Sequence, residues 1–272
     1  MGVIFLAGVI GLIMTLGIIG MSNNALPFNP FGSHKDKIVI IYVEGQMVAD
    51  KSPGDVGVAC SGDIVRCMRK ATDDPDVKAI VLRVNSPGGT PVAAEEIISQ
   101  INKTRASKPV VVSMGDMATS AAYFISSCTD RIVANPDTFT GSIGVIWVFK
   151  NKTKYYNDEG INFYVAKSGN FKDLGSDWRG LSDGEKDYVQ GIINESYNRF
   201  VMYVSRGRNL SQDYVRTIAD GRIYTGSRAK DMGLVDELGG LYDAVNVAAK
   251  MAHVKEKPQI VYMNDQATAG KA

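Results

Sequence analysis

Histidine is scarce: His34 and His253 are the only two in 272 residues. Neither stands beside a motif, so a Ser-His-Asp or Cys-His hydrolase would have to recruit an isolated imidazole. The three cysteines, Cys60, Cys67 and Cys128, form no CxxC pair and are odd in number. That argues against a disulfide framework and against a zinc site, and no metal or cofactor is expected. A surplus of charge is lacking as well. With 30 basic and 29 acidic residues the chain has no electrostatic footprint for nucleic acid, which is not expected as a partner. Internal repeats and low-complexity tracts are also missing.

Charge is absent altogether from Val3 to Met21. As a helix this run would be roughly 28 Å long, about the thickness of a bilayer's hydrocarbon core. It predicts a transmembrane anchor over residues 1–21, in the membrane through residues 3–21. A cleaved signal would carry a basic residue before the apolar run and a small-x-small site after it, and this chain has neither. Residues 22–36, rich in Pro, Asn and Gly, read as a linker, 37–263 as a folded domain and 264–272 as a flexible tail. By the positive-inside rule Lys35 and Lys37 favour a cytoplasmic body.

Within the body, Lys37 to Val43 and Val77 to Val84 read as buried strands. Ser61 to Ala71 reads as a helix capped by Ser61, and Pro91 to Ala106 as another. Val110 to Val112 opens a strand that Gly115-Asp116 should break, before a helix from about Thr119. Further strands are expected at Arg131 to Ala134, Ile143 to Phe149 and Asn162 to Ala166. Ser182 and Glu185 form a capping-box pattern opening a long helix to about Arg206, with Tyr188, Ile192, Phe200 and Val204 near helical spacing. Gln212 to Ala219 and Tyr242 to Ala252 are further helices. Strands alternating with helices argue for an α/β domain with largely parallel pairing.

Three features bear on chemistry. Asn85-Ser86-Pro87-Gly88-Gly89 links a strand to a helix, so its glycines can turn N–H groups toward a carbonyl oxygen without steric cost. Taken alone, such a pair is more often a plain turn. Ser120 stands at a strand-to-helix junction, where free N–H groups and the helix dipole favour an acyl-transfer nucleophile, although a serine there is ordinarily only a cap. Val165 to Ser176 carries Lys167 and Lys172 in a Gly-rich loop. Surface lysines are usually just solvated. With histidine effectively excluded, a lysine is the remaining base for a serine, since burial can bring its pKa down to about 7 or 8.

The set Asn85-Ser86-Pro87-Gly88-Gly89, Met117 to Tyr123, Thr140-Gly141-Ser142-Ile143-Gly144-Val145 and Lys167 to Asp173 resembles the short form of signal peptide peptidase A. The similarity runs from about Lys37 to Val254 and includes Ala219 to Gly226 and Leu234 to Gly239. That family consists of membrane-anchored Ser-Lys peptidases of the Clp protease and crotonase fold, a repeated β-β-α superhelix. The resemblance implies Ser120 as nucleophile, Lys172 as general base and Ser142 as the residue that orients the lysine. It implies an oxyanion hole from Ala121 and one of Gly88 and Gly89, with Gly89 slightly favoured. It also implies hydrophobic peptide substrates such as released signal peptides, and no metal or cofactor. A homo-oligomeric ring is implied, in which neighbouring protomers share each site, as is a single-pass protein of the cell membrane with an extracytoplasmic body, against the Lys35 and Lys37 signal. Many relatives have glycine after the nucleophile where this chain has Ala121 and Ala122, whose methyl groups could narrow the substrate pocket. The alternatives are a related Ser-Lys peptidase that cleaves stomatin-like membrane proteins and a crotonase-type acyl-CoA enzyme.

Overall fold

The runs KIVIIYVE and VKAIVLRVNS are too continuously apolar to leave either face in water, and both become central parallel strands. They are β1 (Lys37–Glu44) and β4 (Val77–Ser86), paired in parallel with each other. The computed structural model describes residues 35–52 and 56–264, and from Asp36 onward the described residues belong to one unit. The anchor, most of the linker and nearly all of the tail expected from the sequence lie outside the described residues. No helix among those described is long and apolar enough to cross a membrane.

The chain adds β2 (Gln46–Val48) and β3 (Val58–Cys60), a two-stranded parallel sheet of their own. Helix α1 (Ser61–Asp73) follows, then β4, α2 (Pro91–Arg105), β5 (Val110–Thr119), α3 (Ala121–Ser127), β6 (Arg131–Ala134) and β7 (Phe139–Gly141). After α4 (Thr153–Asp158) come α5 (Asp183–Arg208), α6 (Gln212–Ile218), β8 (Ile223–Thr225) and α7 (Gly226–Asp231). The chain closes with β9 (Glu237–Leu238), α8 (Leu241–Met251) and β10 (Gln259–Met263). The main sheet runs β10-β1-β4-β5-β6-β9, parallel throughout, and β8 joins antiparallel to β7.

One face of this sheet packs against α1, α2, α3 and α5, with Ile80, Leu82, Val110 and Val112 fully buried. The other face is covered by α8, whose Ala244, Val245, Val247 and Ala248 meet Ile38, Ile40, Val81 and Val111. Each buried Val, Leu or Ile among these contributes about 1.5–3 kcal/mol.

Strand β5 positions the site because it forks. Val111 to Ser113 pair with β6, while Met117 to Thr119 pair with β7. The break expected at Gly115-Asp116 does not occur. Instead the β4–β5 register shifts between Val84 and Ser86, and Asn85 bridges the gap by accepting the Met117 N–H at 3.2 Å. Ser61 does not cap α1 either; its hydroxyl donates to Ala49 and pairs with Glu96. Two other expectations fail together: Ile143 to Phe149 and Asn162 to Ala166 form no strand. Both are apolar enough for one, but among the described residues neither pairs with a neighbouring strand that would satisfy its backbone.

Candidate active site

Strand β5 ends at Thr119 and α3 begins at Ala121, leaving Ser120 alone at the junction. Its backbone takes φ 54° and ψ −124°, a conformation that costs a non-glycine residue about 1–3 kcal/mol. The surroundings hold it there: the Ser120 N–H donates to the Gly141 carbonyl at 3.0 Å, and the Ser120 carbonyl accepts from the Phe124 N–H at 2.8 Å. The capping role open to a serine here is not taken up, since its side chain makes no cap hydrogen bond. The hydroxyl therefore remains available.

The helix behind it is rigid. All seven residues of α3 are buried, the Tyr123 hydroxyl donates to the Leu234 carbonyl at 3.1 Å, and Phe124 packs on Phe200 and Tyr203 of α5 at 4.7 and 5.2 Å. Such packing gives the strained turn a fixed base.

The two glycines of the β4–α2 loop differ in use. Gly88 has φ 103°, and a Cβ there would lie 2.8 Å from the Ser120 Cβ and 2.9 Å from the Ala121 nitrogen. Only glycine lets this backbone lie so close to the serine. Its N–H is spent on Ser86 Oγ at 3.1 Å, and its carbonyl accepts from Met47. Gly89 bridges Met47 on its other side, and its own N–H has no acceptor among the described residues. Ala121, as the first residue of α3, likewise has no acceptor within its helix. Gly89 and Ala121 both line one cleft with Ser120 and Ser142, of about 700 Å³. Two unspent amides beside an unspent hydroxyl suit a carbonyl whose oxygen becomes negative.

Ser142 follows the residue that accepts the Ser120 N–H. It too has a positive φ, 50°, and its N–H donates to the Arg222 carbonyl at 2.8 Å. Nearby Asp220 also borders the cleft, but Arg222 hydrogen-bonds it and holds its carboxyl below the usual range. A carboxylate so engaged is a poor proton acceptor. Among the described residues no histidine lines the cleft.

Ser120, Ser142, Gly89 and Ala121 are thus brought together, with Gly88 directly behind them. Lys172 is not. It lies in a turn closed by its N–H on the Gly169 carbonyl at 3.1 Å, is exposed, does not line the cleft, and its ammonium has no partner among the described residues. Lys167 is engaged elsewhere: its ammonium is 2.7 Å from Asp173 and 3.1 Å from the Asn170 carbonyl.

The apolar wall of the cleft was not foreseen. Phe124, Phe200, Ile193 and Tyr197 line it, with Gln190 and Asn194 also contributed by α5. The 190, 193, 194, 197 spacing is a helical stripe that the sequence displays. It is easily overlooked beside the more apolar positions, of which Phe200 and Val204 are indeed buried while Tyr188 is exposed.

Residues 102–255 match the model of peptidase family S49. A protein of Methanocaldococcus jannaschii assigned as a protease is 37% identical over 230 residues, covering 83% of this chain and 74% of that one. Protease 4 of Haemophilus influenzae is 38% identical over 222 residues, covering 81% of this chain, which spans only 36% of that protein's length. Among solved structures, a mutant of the 1510-N membrane-bound stomatin-specific protease superposes with a TM-score of 0.58 at 12% identity, over 85% of this chain and 99% of the other. That likeness concerns the α/β fold with its mainly parallel sheet.

Proposed function

The chain belongs to peptidase family S49 and is a serine peptidase akin to signal peptide peptidase A; on that premise we propose that Ser120 is its nucleophile and Lys172 its general base, the two supplied by neighbouring protomers. Ser120 Oγ attacks the scissile carbonyl carbon while its proton passes to the neutral Lys172 amine. The N–H groups of Gly89 and Ala121 hold the oxyanion. Lys172 returns the proton to the leaving amine, and water, deprotonated by the same lysine, hydrolyses the acyl-enzyme. Ser142 orients the lysine.

The observation that carries this reading is Ser120 itself: a strained, uncapped serine whose hydroxyl shares a cleft with two free amides. The sharing between protomers rests on a different argument. A base must lose its proton near neutral pH, whereas a solvated lysine keeps it to well above pH 9. An exposed Lys172 therefore needs covering by something outside its own chain. The stretch that carries it needs covering too, because no residue from 144 to 184 is buried. A closed ring of identical contacts meets both needs.

The aromatic and aliphatic wall of Phe124, Phe200, Tyr197 and Ile193 supports hydrophobic peptides, such as released signal peptides, as substrates. The uncharged run of residues 3–21 supports anchoring by a single span, and the resemblance to signal peptide peptidase A, against the Lys35 and Lys37 signal, supports a body on the extracytoplasmic side. A fluorophosphonate probe should label Ser120, as mapped by mass spectrometry. In a folded Ser120→Ala protein the labelling should vanish and peptide cleavage should fall at least about a thousandfold. Near-native turnover in that variant would remove the core of the proposal.

A further inference from the structure

We propose that Asp173, Arg179 and Glu185 form a latch that positions Lys172, fixing its loop to the start of α5 and keeping Lys167 out of the competition for the site. The inference rests on the reading of Lys172 as the base. Its starting point is a mechanical problem. A general base has to be held to within about an ångström of its target, since misplacement by that much costs on the order of a hundredfold in rate. Hydrophobic burial, which fixes Ser120, is unavailable to residues 144–184.

The polar contacts solve it. Arg179 Nε donates to Asp173 at 3.0 Å and Nη2 donates to the same carboxylate at 2.7 Å. Nη1 and Nη2 donate to the two Glu185 oxygens at 2.7 and 2.6 Å, and Nη1 also to the Gly180 carbonyl at 3.1 Å. These contacts occupy all five N–H donors of the guanidinium, which a lysine in its place, with three donors and no planar fork, could not reproduce. Glu185 in turn closes the capping box of α5, accepting from the Ser182 N–H at 2.8 Å. Its side chain is 4% exposed and that of Asp173 10%, while Arg179 between them is 30% exposed, so the two carboxylates are shielded although the guanidinium and the loop around it are not.

Both neighbours of Lys172 are tied to the same helix. Asp173 is held by the latch, and on the other side Phe171 packs on Tyr188 of α5 with ring centroids 5.2 Å apart. Helix α5 packs through Phe200 on Phe124 of α3, which starts immediately after Ser120. A continuous series of fixed contacts thus sets Lys172 relative to its own body, and in a ring relative to the next. The latch also distinguishes the loop's two lysines. Lys167 is ion-paired to Asp173, while the Lys172 ammonium has no partner among the described residues.

The test uses the whole 272-residue chain in detergent and a fluorogenic peptide rich in leucine and alanine. Asp173→Asn should lower kcat by about 10- to 100-fold and leave KM within about threefold, because the lysine is displaced and the substrate cleft is not. Arg179→Lys, which keeps the charge and loses the fork, should fall close to Arg179→Ala. An Asp173→Asn enzyme with kcat within twofold of wild type would overturn the latch. So would an Arg179→Lys enzyme at wild-type kcat, because charge alone would then suffice. Size-exclusion chromatography with light scattering covers the remaining case: activity lost together with the oligomer would assign the network to assembly and also overturn the proposal. Lys172→Ala separates this inference from its premise. An inactive Lys172→Ala beside a fully active Asp173→Asn sinks only the latch, whereas an active Lys172→Ala sinks the reading of Lys172 and the latch with it.

Discussion

The sheet with its helices and the segment from 144 to 184 are built on opposite terms. In the first, Ile80, Leu82, Val110, Val112 and Tyr123 have no exposed surface. In the second, Ile146, Val148 and Tyr164 are 86%, 73% and 97% exposed, and order comes from ring contacts such as Phe163 on Trp178 and from ion pairs such as Lys152 with Asp177. Ser120 belongs to the first region and Lys172 to the second. The proposed nucleophile is therefore prepared within one chain, down to its strained backbone, while the proposed base is held on a segment whose apolar side chains are largely exposed in the single chain. A division of this kind would keep a solitary chain inactive and make assembly the step that completes the site.

The sharpest way to break this contrast is to truncate one side chain in each region. Leu82→Ala leaves a cavity in a fully buried layer and should destabilise the body by about 2–5 kcal/mol in urea unfolding. Tyr164→Ala removes a ring that touches mostly water in the single chain and should leave the unfolding midpoint of the body unchanged. It should instead weaken oligomerisation in sedimentation experiments. Equal destabilisation by the two substitutions would show that the segment is part of the core after all.

A smaller effect is expected from pH. A lysine base works only when neutral, so kcat/KM should rise between about pH 6 and pH 9, by up to roughly tenfold per unit below the working pKa. The latch does not cause this change. Hydrogen bonds from Arg179 hold the Asp173 carboxyl well below its ordinary range and bring that of Glu185 to about 2. Their contribution is complete above the unfolded carboxylate pKa of about 4 and is lost only as pH falls below it. A profile that declines above pH 7 would point to a different base.

Much of this was legible in the sequence because local physics decided it. The apolar runs of β1 and β4 had to be buried, Ser182 and Glu185 announced the start of α5, and the junction at Ser120 followed from a β-branched run giving way to alanines. Elsewhere local information ran out. Ile143 to Phe149 and Asn162 to Ala166 carry the composition of strands, but pairing needs a neighbour, and composition does not say where one lies. Which of Gly88 and Gly89 keeps an unspent N–H depends on the Ser86 hydroxyl, which accepts from Gly88, and the sequence does not show where that hydroxyl lies. The latch joins Asp173 in a turn, Arg179 in a bend and Glu185 in the first turn of α5, so no single element's period relates the three.

The central claim is that each site takes its serine and its lysine from neighbouring chains, and a mixing experiment addresses it directly. Equal amounts of Ser120→Ala and Lys172→Ala chains, each inactive alone, are unfolded, combined and reassembled, and peptide cleavage is measured on the isolated oligomer. In a closed ring half the positions offer an intact serine and half of their neighbours an intact lysine, so about a quarter of wild-type activity should return. A dyad within one chain can never be rebuilt in this way. Co-assembled oligomers that remain inactive would contradict the account.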